Sequence, residues 1–136
     1  MARGEIGFVG LGIMGKPMAR NLMKADYNVT VYDIVAEAVE ELASDGATPA
    51  SSAAEVASKV PLIITMVPDS PQSEAAIMGP GGVLEGASKG DTVIDMSSIA
   101  PSSSQKIASA CEALGVNFLD APVSGGVWGA QQGSLS

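Results

Sequence analysis

The residues whose types and spacing could do chemistry start early in the chain. Gly7-Phe8-Val9-Gly10-Leu11-Gly12-Ile13-Met14-Gly15 contains Gly10-x-Gly12-x-x-Gly15, and eighteen residues beyond Gly15 stands Asp33. An apolar run of strand character feeds the glycines, helical spacing follows them, and an acid closes the next apolar run. In that order they read as a dinucleotide site, whereas the glycines alone would be a weak signal. Gly10 permits the sharp strand-to-helix turn, Gly12 has no β-carbon to hold the backbone off a pyrophosphate, and Gly15 lets the helix pack against the preceding strand. The loop residues Leu11, Ile13 and Met14 complete the phosphate cradle. A helix starting near Ile13 turns its free amides and positive dipole end toward the phosphates, an effect of ~0.3–1 kcal/mol at exposed sites. Lys16 reads either as added charge nearby or as a solvated surface residue, and Pro17 suits a first helical turn.

Asp33 selects among cofactors. A carboxylate at the end of the second strand can accept both hydroxyls of an adenosine ribose and repels a 2′-phosphate, which favours NAD over NADP. Ile34 follows it where an NADP site more often has Arg or a small polar residue. Asp33 also suits the cap of the helix that follows, and the two roles are compatible.

Other chemistry is excluded by composition. The chain has no histidine, so it holds no His general base, no Ser-His-Asp triad and few routes to a zinc site, and no metal site is expected. The single Cys111 falls in a helical pattern and reads as a small buried hydrophobe in a reducing compartment. Fifteen acids against seven bases give a net charge of −8 with no basic patch, which argues against nucleic acid or an anionic membrane as partner. At 136 residues and 46% hydrophobic content, the chain has the material for one domain or part of one. It has no run of eighteen apolar residues, and Met1-Ala2-Arg3-Gly4 leads straight into the first strand, so a cytoplasmic location without a leader is expected.

To place the glycines and the acid, the chain needs alternating strands and helices. Apolar and β-branched runs at 6–9, 29–32, 62–67, 92–96 and 116–119 are near-continuous, as in parallel strands covered on both faces. Helical spacing fills 14–24, 35–44, 52–58, 71–78 and 101–114. In the second of these Val35, Val39, Leu42 and Ala43 share a face, with Glu37, Glu40 and Glu41 toward water. Gly46 and Gly115 suit left-handed helix ends, Pro80-Gly81-Gly82 a surface turn, and Ser70 an N-cap before Pro71. The expected fold is α/β, a doubly wound parallel sheet of Rossmann type, truncated before its last strands. In such a sheet ligands lie at the carboxyl ends of strands, here Thr65-Met66-Val67-Pro68-Asp69, Asp95-Met96-Ser97-Ser98 and Asp120-Ala121-Pro122-Val123-Ser124-Gly125-Gly126. Each of these segments alone reads equally well as an ordinary loop.

Taken together, the glycine segment, Ile94-Asp95-Met96-Ser97-Ser98-Ile99-Ala100-Pro101 and the Asp120–Gly126 segment resemble the β-hydroxyacid dehydrogenase family, over essentially all 136 residues. Ile63-Ile64-Thr65-Met66-Val67-Pro68 and the Met-Ser-Ser-Ile-Ala-Pro stretch look most like its tartronate semialdehyde reductase branch. The 3-hydroxyisobutyrate dehydrogenases are the alternative. The resemblance implies that Val67, Pro68 and Gln72 line the cofactor beyond the pyrophosphate and that Ser98 lies by the nicotinamide ribose. It further implies that Ser124, Gly125 and Gly126 cradle a substrate carboxylate, a role that suits a hydroxyl and glycine-exposed amides.

The reaction implied is reversible hydride transfer between the nicotinamide and a short semialdehyde acid. The family's proton donor, a lysine on a long helix after the cofactor domain, has no matching position. Lys59, Lys89 and Lys106 fall on the wrong part of the fold, so no catalytic residue is assigned. Residues 1–136 then correspond to an incomplete NAD-binding domain without the family's C-terminal helical domain, expected to be catalytically silent. The full-length parent is expected to be a homo-oligomer, and an open sheet edge makes association of the chain itself an expectation. A stand-alone NAD-binding module is the competing reading, and Ser124-Gly125-Gly126 disfavours a flavin or nucleotide-sugar enzyme. Trp128 reads as a pocket wall or a core residue in the loop that follows.

Overall fold

In the computed structural model, residues 3–124 and 126–136 are described. Among the described residues six strands, β1 Gly4–Val9, β2 Tyr27–Tyr32, β3 Thr48–Pro49, β4 Leu62–Thr65, β5 Thr92–Asp95 and β6 Asn117–Asp120, form one parallel sheet in the order β3-β2-β1-β4-β5-β6. The helices that accompany them are α1 Gly15–Lys24, α2 Ala36–Ser44, α3 Ala53–Lys59, α4 Ser70–Met78, α5 Val83–Gly86, α6 Pro101–Ala113 and α7 Gly126–Gln132. β1 lies between β2 and β4, with Gly7 opposite Thr30 on one side and Ile63 on the other. The winding therefore reverses beside the carboxyl end of β1, the place where ligands bind in such sheets.

The near-continuous apolar strands are explained by two cores, one on each face. Ile6, Phe8, Val29, Val31 and Ile64 pack with Ala19 of α1 and Ala38, Val39 and Leu42 of α2. Val9, Ile63 and Val93 pack with residues of α3 to α6, among them Val56, Ile77, Val83 and Ile107. Adjacent Ile63 and Ile64 enter opposite cores because successive strand side chains point to opposite faces.

Several sequence expectations shift. The run 62–67 is a strand only to Thr65: Met66 N–H still donates to Val9 O (2.9 Å), but Val67 N–H turns to the Ser97 hydroxyl (2.9 Å). The two-residue edge strand β3 has no apolar run to announce it, and an edge position tolerates its Pro49. In α2 the buried stripe is Ala38, Val39 and Leu42, while Val35 stands at the N-cap, half exposed. Asp69, not Ser70, caps α4: its carboxylate accepts from Ser70 N–H (2.7 Å), which frees the Ser70 hydroxyl to accept from Ala100 N–H (2.8 Å).

Gly46 and Gly115 take the expected left-handed conformation, with φ of +110° and +71°. Trp128 lies on α7 rather than in a loop and is 71% exposed, so it is not a core residue. Among the described residues no helix is long and apolar enough to cross a membrane.

Cys111 is fully buried in α6, and desolvation pushes its thiol from 9.0 up to about 11. The folded thiol should be inert to a disulfide reagent near about pH 8 and react only as the chain unfolds, measurable as reagent uptake along a urea titration. Because the unfolded thiol ionises first, the stability associated with the neutral buried form is intact below about pH 9 and is lost as pH rises toward about 11. Denaturation of Cys111→Ala against pH should lack that alkaline decline.

Candidate cofactor-binding site

The glycine turn is built by backbone contact. Gly10 has φ +105°, and a β-carbon there would run into the Met66 carbonyl oxygen of the neighbouring strand end. A β-carbon on Gly15 would collide with the Gly10 carbonyl and come within 3.3 Å of the Phe8 ring. Those two glycines are required by the fold itself. Gly12 differs, because a β-carbon there would meet nothing within 4 Å and would project into open space. Gly12 lines a cleft of about 800 Å³. A position kept bare by no protein neighbour, on the wall of a cleft this size, fits a ligand whose pyrophosphate approaches the backbone.

The amides of the loop are divided between structure and ligand. Gly10 N–H donates to Tyr32 O (3.0 Å) and Leu11 N–H to Asp33 Oδ2 (2.7 Å), which stitches the turn to the end of β2. Lys16 N–H donates to Gly12 O (3.0 Å), so helical bonding begins at Gly12 even though α1 proper starts at Gly15. Among the described residues the amides of Gly12, Ile13, Met14 and Gly15 have no acceptor in the chain and stay free to face an anion. Among the described residues lining the cleft, Asp33 is the one charged side chain. Phosphates would therefore be held by backbone amides and the helix dipole rather than by cations. Lys16 points elsewhere, to Glu41 of α2 (3.1 Å), and Arg20 pairs with Asp45 (2.9 Å) and Glu41. Lys16 and Arg20 hold the Glu41 carboxyl below the usual carboxylate range.

Asp33 is fixed from two sides. Its Oδ2 accepts from Leu11 N–H and its Oδ1 from Val35 N–H (2.9 Å), at the entry to α2. Each oxygen keeps acceptor capacity for a hydroxyl, and the clasp sets its direction. Asp33 thus turns the chain into α2 and lines the cleft as well.

The cleft runs from Asp33, Ile34 and Val35, across Gly10, Gly12, Ile13, Met14 and Gly15, to Val67, Pro68, Gln72 and Ser98. Nearly all the sequence-derived cofactor positions are thereby brought together. Leu11 is not among its walls: its side chain is 1% exposed in the core, and its amide holds Asp33. Ser124 and Gly126 also lie outside it, and Gly125 lies outside the described residues. Ser124 exchanges two backbone hydrogen bonds with Ser136 (2.6 and 2.8 Å), closing a loop around α7, and Gly126 opens that helix with φ +60°.

Sequence reasoning missed Tyr32, Met66, Ala53, Ala75, Ala76 and the Pro80–Gly82 turn as walls. Ala54 N–H donates to Gly81 O (3.0 Å), which draws that turn in from the surface to the start of α3. The one local hint is the small side chains of Ala53, Ala75 and Ala76.

A parallel sheet that reverses beside a glycine turn, with a clasped acid at the end of its second strand, defines a dinucleotide-binding Rossmann domain. The chain belongs to the family described as the NAD binding domain of 6-phosphogluconate dehydrogenase, which matches residues 5–136. It is 46% identical to a mitochondrial 3-hydroxyisobutyrate dehydrogenase of Mus musculus, over 96% of this chain and 39% of the relative. It is 44% identical to the 2-hydroxy-3-oxopropionate reductase of Escherichia coli K12, over 97% of this chain and 45% of the relative. A solved structure of Psf3 in complex with NADP+ and 2-OPP matches with a TM-score of 0.89 at 30% identity, covering 96% of this chain and 46% of that one. The chain thus spans less than half the length of these relatives.

The two kinds of glycine should separate by stability. Gly10→Ala should destabilise by at least about 1–3 kcal/mol, since it adds a strained φ to a backbone collision. Gly12→Ala should stay within about 0.5 kcal/mol of the parent. Chemical denaturation of both variants without ligand checks the contrast, and equal losses would contradict the assignment.

Proposed function

We propose that this chain is the NAD-binding part of an oxidoreductase that interconverts a short β-hydroxy acid and its semialdehyde. The observation that supports it is the single cleft that joins a clasped Asp33 at one end, a bare Gly12 at the centre and Ser98 at the other. Gly12 and the amides from Ile13 to Gly15 would take the pyrophosphate, Asp33 the adenosine ribose, and Val67, Pro68, Gln72 and Ser98 the nicotinamide half. Bound NAD would supply or accept the hydride.

NAD is preferred over NADP in this reading. A 2′-phosphate would meet the fixed Asp33 carboxylate, and Ile34 beside it, 89% exposed, offers no countercharge. The NADP+ bound to a structural relative shows that the shared fold is compatible with either cofactor, so the choice rests on these side chains.

The substrate proposed is tartronate semialdehyde, with 3-hydroxyisobutyrate as the alternative, since relatives of both names match to nearly the same extent. Ser124, Gly125 and Gly126 would hold its carboxylate. No lysine lines the cleft among the described residues: Lys59 pairs with Glu55 (3.8 Å) and Lys106 with Glu74 (3.3 Å), each on the outside of a helix. The chain by itself then binds cofactor without a proton donor, which removes a typical ~10²–10⁴-fold contribution to hydride transfer. In the whole protein, a small carboxylate is the proposed substrate and a homo-oligomer the proposed assembly.

A thermal-shift titration tests the reading. NAD at about one hundred times its dissociation constant should stabilise the chain by ~2.7 kcal/mol, and NADP at the same concentration by less. Gly12→Val should abolish the NAD shift by filling the pyrophosphate position. A larger shift with NADP would refute the role of Asp33, and an undiminished shift in Gly12→Val would refute that of the loop.

A further inference from the structure

The carboxyl ends of β4 and β5 share a buried polar network that the site described above does not use. Thr65 and Asp95 are register partners, and both are fully buried. The Thr65 hydroxyl donates to Asp95 Oδ1 (2.9 Å), and Ser97 N–H donates to the same oxygen (3.1 Å). Ser97, also fully buried, accepts Val67 N–H on its hydroxyl (2.9 Å). Asp95 Oδ2 has no hydrogen-bond partner among the described residues.

A buried carboxylate with one oxygen doubly satisfied and the other unpartnered is a poor way to stabilise a sheet. Its geometric effect is clear, however. The strand ladder ends at Thr65, so Val67 N–H would lose its partner without the Ser97 hydroxyl, and Asp95 holds the turn that presents that hydroxyl. A second tie, from Ala100 N–H to the Ser70 hydroxyl, joins the same two loops further out. The loops after β4 and β5 are therefore tied to each other at two points. They contribute Val67, Pro68 and Ser98 to one end of the cleft. The other end, the glycine turn and Asp33, is held separately by Tyr32 O, Leu11 N–H and Val35 N–H.

We propose that Asp95 is a positioning residue: acting through Ser97, it sets the Val67–Pro68 backbone and Ser98 against the nicotinamide half of the dinucleotide and leaves the adenosine half unaffected. This rests on the NAD reading above. The two halves can be read separately, because ADP carries the groups assigned to the glycine turn and Asp33 but lacks both the nicotinamide and its ribose.

Calorimetric titration of the chain and its variants with NAD+ and with ADP tests the assignment. Asp95→Ala and Ser97→Ala should weaken NAD+ about 5- to 10-fold, the effect of losing one positioned hydrogen bond, with ADP changed by less than about twofold. Asp95→Asn keeps an oxygen for Thr65 and Ser97 and should bind NAD+ within about twofold of the parent. Equal weakening of both ligands, unchanged NAD+ binding in Ser97→Ala, or failure of Asp95→Asn to match the parent would each overturn the proposal. If Asp95→Ala does not fold, Ser97→Ala and Asp95→Asn decide it. A parent chain that binds neither ligand would instead overturn the NAD reading itself.

Discussion

Gly10 turns with φ +105° directly against the Met66 carbonyl, and Gly15 brings the start of α1 onto the Gly10 carbonyl. This backbone-on-backbone approach leaves no room for side chains at either glycine. It places the first turn of α1 at the point where the sheet reverses, and it fixes how far β1, β4 and the helix stand from one another. The rest of the cleft is organised around it. Gly12 can then be bare for a different reason, with open space where the other two have backbone.

The two ends of the cleft are held by different physics. At the adenosine end, a part-buried carboxylate is clasped by two amides, Leu11 and Val35, and the clasp ties the glycine turn to the entry of α2. At the other end, a fully buried network from Thr65 through Asp95 to Ser97 replaces the strand ladder where it runs out before Pro68. The first arrangement leaves acceptor capacity facing the cleft. The second is sealed from it and acts through the backbone it holds.

Electrostatics follow the same division. In a chain of net charge −8 the cleft has no cation among its described lining residues, and the amides at a helix start supply its positive field. Lys16 and Arg20 are spent on Glu41 and Asp45, where they tie α1 to α2 on the outside. Exposed pairs of this kind are individually weak and screened by salt. Their value is to brace the two helices whose starts flank the cleft.

Much of this was legible in the residues. The order of strands and helices, the two-sided burial of the sheet, the three glycines and Asp33 all follow from periodicity and short spacings, which local chain geometry obeys. The strand β3, the helix α7 and the cap on Asp69 were not legible, because each is too short or too dependent on a neighbour to leave a local pattern. The roles decided by tertiary structure are those set by contacts across long separations. Leu11 joins Asp33 from 22 residues away, and Thr65 meets Asp95 from 30. The Pro80–Gly82 turn becomes a wall because Gly81 accepts from Ala54, and Ser124 closes on Ser136 instead of lining the cleft. By itself the sequence determined the glycine turn and the acid that the fold brings to one cleft. Only the folded chain decided which of the others hold them in place, since a hydrogen bond between distant residues exists only once the sheet has set their register.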